Sequence, residues 1–411
     1  MPSSLKTFSL NLKSKLFLMS INSATTNFFE FAVFHRAKMV AMTFSQKLEA
    51  PFSGRIPTCM VAKKISSSQS QLLQKPKHLA ATRESCMYRI AIIGAGQLGS
   101  RHLQGLSQLA LDCEIDVIDP SSASLDIARQ RFEEMPINNA VRCVRYHAAI
   151  DFLPKDLDFV VIATSSDVRL GVLESLLRQV RVRFLLLEKV LFQRLGDYAQ
   201  AQELLRQHGV KAWVNCPRRA YPIYFEIREF FTGEKLLYAQ AKGGDWGLGS
   251  NGIHFIDLFA LLTGERLDSL DTTGLDKQLL PSKRKGFIEF TGTLGGSYRN
   301  GTSIEITSLI GSSARLLIVL RSEKRTCILD ESAGCAFLLD CSKGTSWERK
   351  EFRAPFLSEL ITGLVSQILE TETCPLPEFE ESVEYHLLFI KSMGAYAAVY
   401  QGGSADLCQI T

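Results

Sequence analysis

The sequence predicts an α/β protein in two parts: a doubly wound parallel sheet covered by helices, then an α+β part with a large, mostly antiparallel sheet. Three observations predict it. From Tyr88 to Val214, short continuous apolar runs alternate with segments of helical period, the pattern of parallel strands buried on both faces. The first run opens directly on a glycine-rich stretch, Gly94–Gly99. Beyond about residue 215 the pattern changes to short strands broken by Gly and Ser, which reads as an antiparallel sheet.

The first part begins with a strand at Tyr88–Ile93 and a helix at Gln97–Leu111. A strand at Glu114–Asp119 and a helix at Ser121–Met135 follow, the helix having Asp126, Arg129 and Glu133 on its wet side. Asp158–Ala163 and Arg183–Leu187 are continuous apolar strands, each followed by a helix, and Lys211–Val214 closes the series. Right-handed crossovers make this a doubly wound domain. The second part opens with a helix at Phe225–Phe231. Its strands are expected at Leu237–Ala241, Gly286–Thr293, Ser303–Leu309, Arg315–Arg321, Arg325–Asp330 and Ala336–Leu339. A helix at Gly252–Leu262 is inserted early, and Leu357–Leu369 and Val383–Tyr400 are closing helices.

With 411 residues, 46% hydrophobic, 22% charged and mean hydropathy +0.04, the chain is of ordinary globular type with material for more than one core. Collagen-like, disulfide-scaffold and wholly disordered classes are excluded. No apolar run approaches the length of a membrane span; the best, Phe28–Phe34, is short and carries Glu30. The net charge of +4 is uneven: residues 1–87 carry +9 and the rest −5. A mildly acidic body without a basic stripe argues against nucleic-acid binding. The ten cysteines form no CxxC pair, so neither metal-ligand spacing nor a secreted staple pattern is present. Reduced thiols in a cytoplasmic setting, no metal and no membrane are the expectation.

Residues 1–86 do not read as a domain: they are rich in serine, poor in acids and without sustained periodicity. A transit peptide and a disordered basic arm both fit. The preferred reading is a start at Met87, with the upstream part an extension or a mis-called start. The expected division is 1–86, a first domain 87–214, a second domain 215–403 for substrate and oligomerisation, and a tail 404–411.

Gly94-Ala95-Gly96-Gln97-Leu98-Gly99 is a GxGxxG between a strand and a helix. Its first glycine permits the tight turn, its second lets backbone approach a pyrophosphate, and its third allows close helix–strand packing. The helix N-terminus supplies positive potential for phosphate. Asp119 ends the second strand, 20 residues after Gly99, where a carboxylate binds both ribose hydroxyls. That favours NAD over NADP, because a 2′-phosphate would meet a like charge. Arg129 is near enough on the next helix to leave NADP open.

Two further stretches, Glu188-Lys189-Val190 after the strand Arg183–Leu187 and Gly252-Ile253-His254-Phe255-Ile256-Asp257, complete a pattern. The chain from Tyr88 onward resembles the Gfo/Idh/MocA family of NAD(P)-dependent oxidoreductases, through the glycine loop with His102, the strand end Ile162–Asp167 and Asn215–Arg219. The resemblance implies a Rossmann domain, a homo-oligomer, and hydride transfer between a nicotinamide cofactor and a carbinol or carbonyl of a sugar, polyol or nucleotide-linked sugar. It implies cofactor contacts from Gly94, Gly96, Gln97, Leu98, Gly99, Asp119, Thr164, Glu188 and Lys189. Lys189 matches the lysine of the family's EKP motif, whose ammonium stabilises a developing alkoxide; Glu188 orients its turn or is simply a helix-capping acid. His254 matches the catalytic histidine, and Asp257, three residues on, shares its helical face and is placed to orient it. Arg218, Arg219, Trp246 and Asn251 are substrate-side candidates. Two arginines suit a phosphate or carboxylate, though the arginines and Trp246 suit interdomain packing equally.

Three positions depart from the family. Ser250 stands where an Asp is common, so Ser250→Asp is expected to raise turnover if its carboxylate reaches His254. Val190 replaces the proline of EKP. Arg169 replaces a histidine after the strand Asp158–Ala163, putting a cation near the dinucleotide or substrate edge or at the surface of a helix. These departures keep a second function open: a non-catalytic NAD-binding sensor or regulator on the same fold.

Overall fold

The computed structural model describes residues 87–411; the readings of residues 1–86 lie outside it. The first sheet has six parallel strands in the order β3-β2-β1-β4-β5-β6. These are β1 (Tyr88–Ile93), β2 (Cys113–Ile118), β3 (Val141–His147), β4 (Asp156–Ile162), β5 (Arg181–Leu187) and β6 (Lys211–Val214). Helices α1 (Gln97–Leu106), α2 (Ser122–Glu133), α3 (Arg169–Gln179) and α4 (Leu195–His208) cross between them. Ile90, Ile92, Phe159, Val161, Leu185 and Leu186 are wholly buried, as strands covered on both faces must be. The order turns back between β1 and β4, and in such sheets the crevice beyond the strand ends at that point takes ligands.

Two differences from expectation have local causes. Helix α1 stops at Leu106, not Leu111, because the Asn138 amide takes the Ser107 and Leu109 carbonyls at 2.9 and 2.6 Å, satisfying acceptors that a longer helix would use. Strand β3 has no range among the expected strands, only an expected end at His147. It is a sheet edge on which Arg142 and Arg145 alternate with Cys143 and Val144, so it lacks a continuous apolar run.

The second sheet has eight strands in the order β16-β15-β14-β13-β7-β12-β11-β8. They are β7 (Tyr238–Gly243), β8 (Leu267–Asp271), β11 (Gly292–Tyr298), β12 (Ser303–Ser308), β13 (Leu317–Arg321), β14 (Arg325–Asp330), β15 (Cys335–Asp340) and β16 (Glu348–Glu351). Only β7 and β12 pair in parallel. The strand expected over 286–293 is split. Ile288–Glu289 (β10) pairs with Leu280–Pro281 (β9) as a separate hairpin, while Gly292 at φ +91° turns the chain into β11, a backbone region open mainly to glycine.

Helix α5 (Pro222–Phe230), α6 (Leu248–Thr263) and α8 (Phe379–Gln401) accompany this sheet, whereas α7 (Leu357–Thr371) returns to the first one. Ile361, Leu364, Val365 and Ile368 of α7 share a core with β1 and β4, and Thr362 Oγ1 donates to the Gly105 carbonyl at 2.6 Å. A side chain at Gly105 would overlap Ile361. Residues 404–411, expected as a tail, are instead built in: Cys408 and Ile410 are fully buried. Cys408 N donates to the Gln193 carbonyl at 2.9 Å, and Ile288 N to the Gln409 carbonyl at 2.8 Å. Among the described residues no helix is long and apolar enough to cross a membrane.

Candidate active site

The glycine loop joins β1 to α1 in a way that its three glycines explain separately. Gly94 has φ +95°, and a Cβ there would lie 2.9 Å from the Ala163 carbonyl carbon. A Cβ at Gly99 would lie 1.7 Å from the Gly94 oxygen. At Gly96 it would meet nothing within 4 Å, because that position faces an open cleft of about 800 Å³. Gln97, Leu98, Ile118, Asp119 and Thr164 also line the cleft. Asp119 Oδ2 accepts from Ala95 N at 2.7 Å and Oδ1 from Ser121 N at 2.8 Å, so the carboxylate braces the glycine loop while bordering the cleft. Thr164 Oγ1 is buried there without a partner, an unmet hydrogen-bonding group of the kind a bound ligand satisfies. Open space at Gly96, a helix N-terminus and an acid at the second strand's end fit a dinucleotide.

A second cleft of about 310 Å³ adjoins the first; Lys189, Trp246, Ser250, Asn251 and Glu289 are in its wall. Lys189 follows β5, and its Nζ donates to the Ser250 carbonyl at 2.9 Å and to Asn251 Oδ1 at 3.2 Å. Burial lowers its pKa from the ordinary lysine value, with Glu188 opposing. The Lys189–Val190 peptide is cis. Asn251 in turn donates to the Trp246 carbonyl at 3.0 Å, and Trp246 Nε1 donates to the Thr307 carbonyl at 2.9 Å.

Several expected site residues are turned to other work. Glu188 does not face the cofactor cleft: it is buried, bonded to His102 Nε2 at 2.8 Å and to Asn215 Nδ2 at 2.7 Å. Burial alone would raise its pKa, but those contacts outweigh it and hold the carboxylate ionised. Arg169 is neither at the surface nor a cofactor contact. It is 1% exposed and donates to the Thr164, Val190 and Leu191 carbonyls, tying the turn after Lys189 to the end of β4.

Asp257 does not orient His254. Arg219 Nε donates to Asp257 Oδ2 at 2.9 Å, and the same guanidinium reaches Glu381 at 2.7 Å, so the carboxylate is consumed by a buried ion pair. Arg219 is therefore removed from the substrate candidates. So is Arg218, which makes a two-pronged contact with Glu331 at 3.0 and 2.7 Å and lies over the Phe255 ring at 4.4 Å. His254 Nδ1 is buried without a partner. Burial first, then the charges of Lys189 and Arg218, lower the His254 pKa well below 6.5, so the imidazole is neutral at physiological pH.

Three residues of this region escaped the sequence reading. Glu289 of β10 accepts from Ser250 N at 3.1 Å and Ser250 Oγ at 2.5 Å. Arg284 and Thr411 also line the second cleft. Nothing in their chain spacing marks Glu289 or Thr411; the run Lys283-Arg284-Lys285 was the one available signal.

Residues 88–216 match the Gfo/Idh/MocA oxidoreductase family in its NAD-binding Rossmann fold. This segment is an NAD-binding Rossmann domain of that family. No curated protein matches the chain. Among solved structures it is similar to UDP-N-acetylglucosamine 3-dehydrogenase from Acidithiobacillus ferrooxidans, at 16% identity, covering 77% of this chain and 98% of that one with TM-score 0.56. It is similar to a super-repressor mutant of Gal80p from Saccharomyces cerevisiae at 15% identity, 76% and 96% coverage and TM-score 0.60. Biliverdin reductase from Synechocystis, in complex with biliverdin and NADP+, matches at 17% identity, 73% and 95% coverage and TM-score 0.57. At these identities the likeness is one of fold, and its bearers include enzymes and a regulator.

Proposed function

We propose that this protein is an NAD(P)-dependent dehydrogenase or reductase acting on the carbinol or carbonyl of a sugar, polyol or nucleotide-linked sugar. The observation that carries the reading is Lys189: its ammonium lies in the wall of a second cleft that adjoins the cofactor cleft, and burial lowers its pKa from the ordinary lysine value. Bound NAD(P) supplies the hydride acceptor or donor. The chain's own groups do the rest. Lys189 donates a hydrogen bond to the reacting oxygen and stabilises the negative charge that develops on it. Its position is fixed from behind by the Ser250 carbonyl and Asn251 Oδ1. His254, one turn past Ser250 and held neutral, accepts the hydroxyl proton when the substrate is oxidised. Asp119 favours NAD over NADP. Absorbance of reduced cofactor across a panel of polyols, sugars, sugar acids and UDP-sugars tests this; a protein that binds NAD(H) yet turns over none of the panel contradicts it.

A second reading, a non-catalytic NAD-binding regulator, is favoured by one observation: the Ser250 turn has no charged side chain of its own. Retained turnover in the panel rejects it. In either case we infer a homo-oligomer in the cytosol. The outer face of the large sheet presents a row of apolar side chains, Val319, Ile328 and Phe337, in register across β13, β14 and β15, and Phe337 is 37% exposed. Such a face suits a second copy. Light scattering at micromolar concentration tests it, a monomer being the contrary result.

A further inference from the structure

Among the described residues, two border both clefts: Leu98 and Arg284. Leu98 is in the first turn of α1, beside the backbone N–H groups that face the cofactor cleft. Arg284 comes from the other side, on the turn of the β9–β10 hairpin. That turn is closed by Ser282 N to the Phe287 carbonyl at 2.9 Å and Phe287 N to the Arg284 carbonyl at 3.3 Å. Phe287 reaches the cofactor cleft as well.

The guanidinium of Arg284 has no carboxylate within 4 Å among the described residues. Its side-chain partner is Thr411 Oγ1, at a long 3.5 Å. Thr411 is itself fixed by Ser166 N at 3.3 Å, and the Ile410 carbonyl by Ser166 Oγ at 2.5 Å and Gln193 Nε2 at 3.1 Å. The C-terminal segment thus ties the first domain to the hairpin and aims Arg284 at the seam. After burial, the charge of Arg284 also lowers the pKa of both Lys189 and Arg169, while the carboxylates of the two clefts are Asp119 and Asp151 in the first and Asp245 and Glu289 in the second. Arg169 gives its donors to neutral carbonyls, and Glu188 is taken by His102 and Asn215. A guanidinium without a carboxylate partner, set across the cleft from a helix N-terminus, suits a phosphate-type anion.

We propose that Arg284 is a cofactor clamp: carried by the second domain, it closes over the pyrophosphate of the dinucleotide from the side opposite the glycine loop, with Thr411 holding it in place. The inference rests on the reading of the first cleft as the NAD(P) site. Its consequence is that both domains hold the cofactor, so hairpin and dinucleotide order one another. Because Arg284 is exposed, its replacement leaves the fold intact.

The test is a fluorescence titration with NADH and a calorimetric titration with ADP-ribose, which keeps the pyrophosphate and lacks the nicotinamide, on the full chain. Arg284→Ala is expected to raise both Kd values by about 10-fold or more, the loss typical of a charge-assisted contact to phosphate, with Tm unchanged. Arg284→Lys should fall between. Lys283→Ala, its exposed neighbour that borders only the second cleft, should leave both values unchanged. Wild-type affinity in Arg284→Ala overturns the clamp, as does an equal loss in Lys283→Ala, which would mean a diffuse basic field. A wild-type protein that binds neither ligand overturns both the clamp and the cofactor reading.

Discussion

Ser250 and Glu289 are joined by a 2.5 Å hydrogen bond from hydroxyl to carboxylate, reinforced by the Ser250 N–H. The carboxylate absent from the α6 turn is thus present from another element. The glycines around it fit this arrangement: a Cβ at Gly249 would fall 2.5 Å from Glu289 Oε1. The Ser250 carbonyl, meanwhile, is an anchor for Lys189.

Ser250→Asp, expected from sequence to raise turnover, should therefore lower it. The new carboxylate would be forced against Glu289, and two like charges in contact cannot both stay ionised. A loss of about 1–3 kcal/mol in stability is expected from thermal unfolding. Adding Glu289→Gln should restore most of it, since an amide can donate to the new acid. Unchanged Tm in the single variant would show that the carboxylates do not meet.

Gly96→Val should abolish NADH binding and leave Tm nearly unchanged, because its side chain enters open cleft and meets no protein atom within 4 Å at Cβ. Asp119→Ala should weaken NAD more than NADP. It should also loosen the loop, whose Ala95 N–H then loses its acceptor. NADP preference in the wild type would contradict the reading of Asp119.

Removing one member of the Asp257–Arg219 pair should cost stability rather than chemistry. Asp257→Ala leaves a buried guanidinium with only the half-exposed Glu381, and a loss of about 3–5 kcal/mol is expected. The pH dependence of kcat should not move. A shifted acid limb with intact Tm would instead restore Asp257 as the partner of His254.

Acid should destabilise the fold through two buried histidines. Burial lowers His254 well below 6.5 and His386 to about 3. As pH falls below 6.5 the unfolded chain takes up protons that the folded chain refuses, so this stability is present above pH 6.5 and is lost progressively as pH drops toward the folded values. Tm measured from pH 7 to pH 4 should fall, and His386→Leu should reduce the slope. Equal slopes in the two proteins would contradict neutral burial of His386.

Much of this was legible in the chain. Buried parallel strands are continuous apolar runs, so β1, β4 and β5 were visible, and GxGxxG with Asp119 marked the cofactor cleft. Edge strands were not: β3, β8 and β16 are polar and lack that pattern. Helical spacing set Asp257 on the face of His254, but Arg219 reaches it from the turn Pro217–Ala220, a tertiary encounter with no local signature. Glu289 lies 39 residues from Ser250, and Thr411 meets Ser166 across 245; only folding brings either pair together.

In the proposed reaction Lys189 stabilises the charge at the reacting oxygen. Lys189→Met keeps the stem and deletes the ammonium, so the most direct measurement is kcat of this variant on a substrate found in the panel, beside its NADH affinity and Tm. A fall in kcat of about 10²- to 10⁴-fold is expected, with NADH affinity and Tm nearly unchanged. Full turnover by Lys189→Met would contradict it.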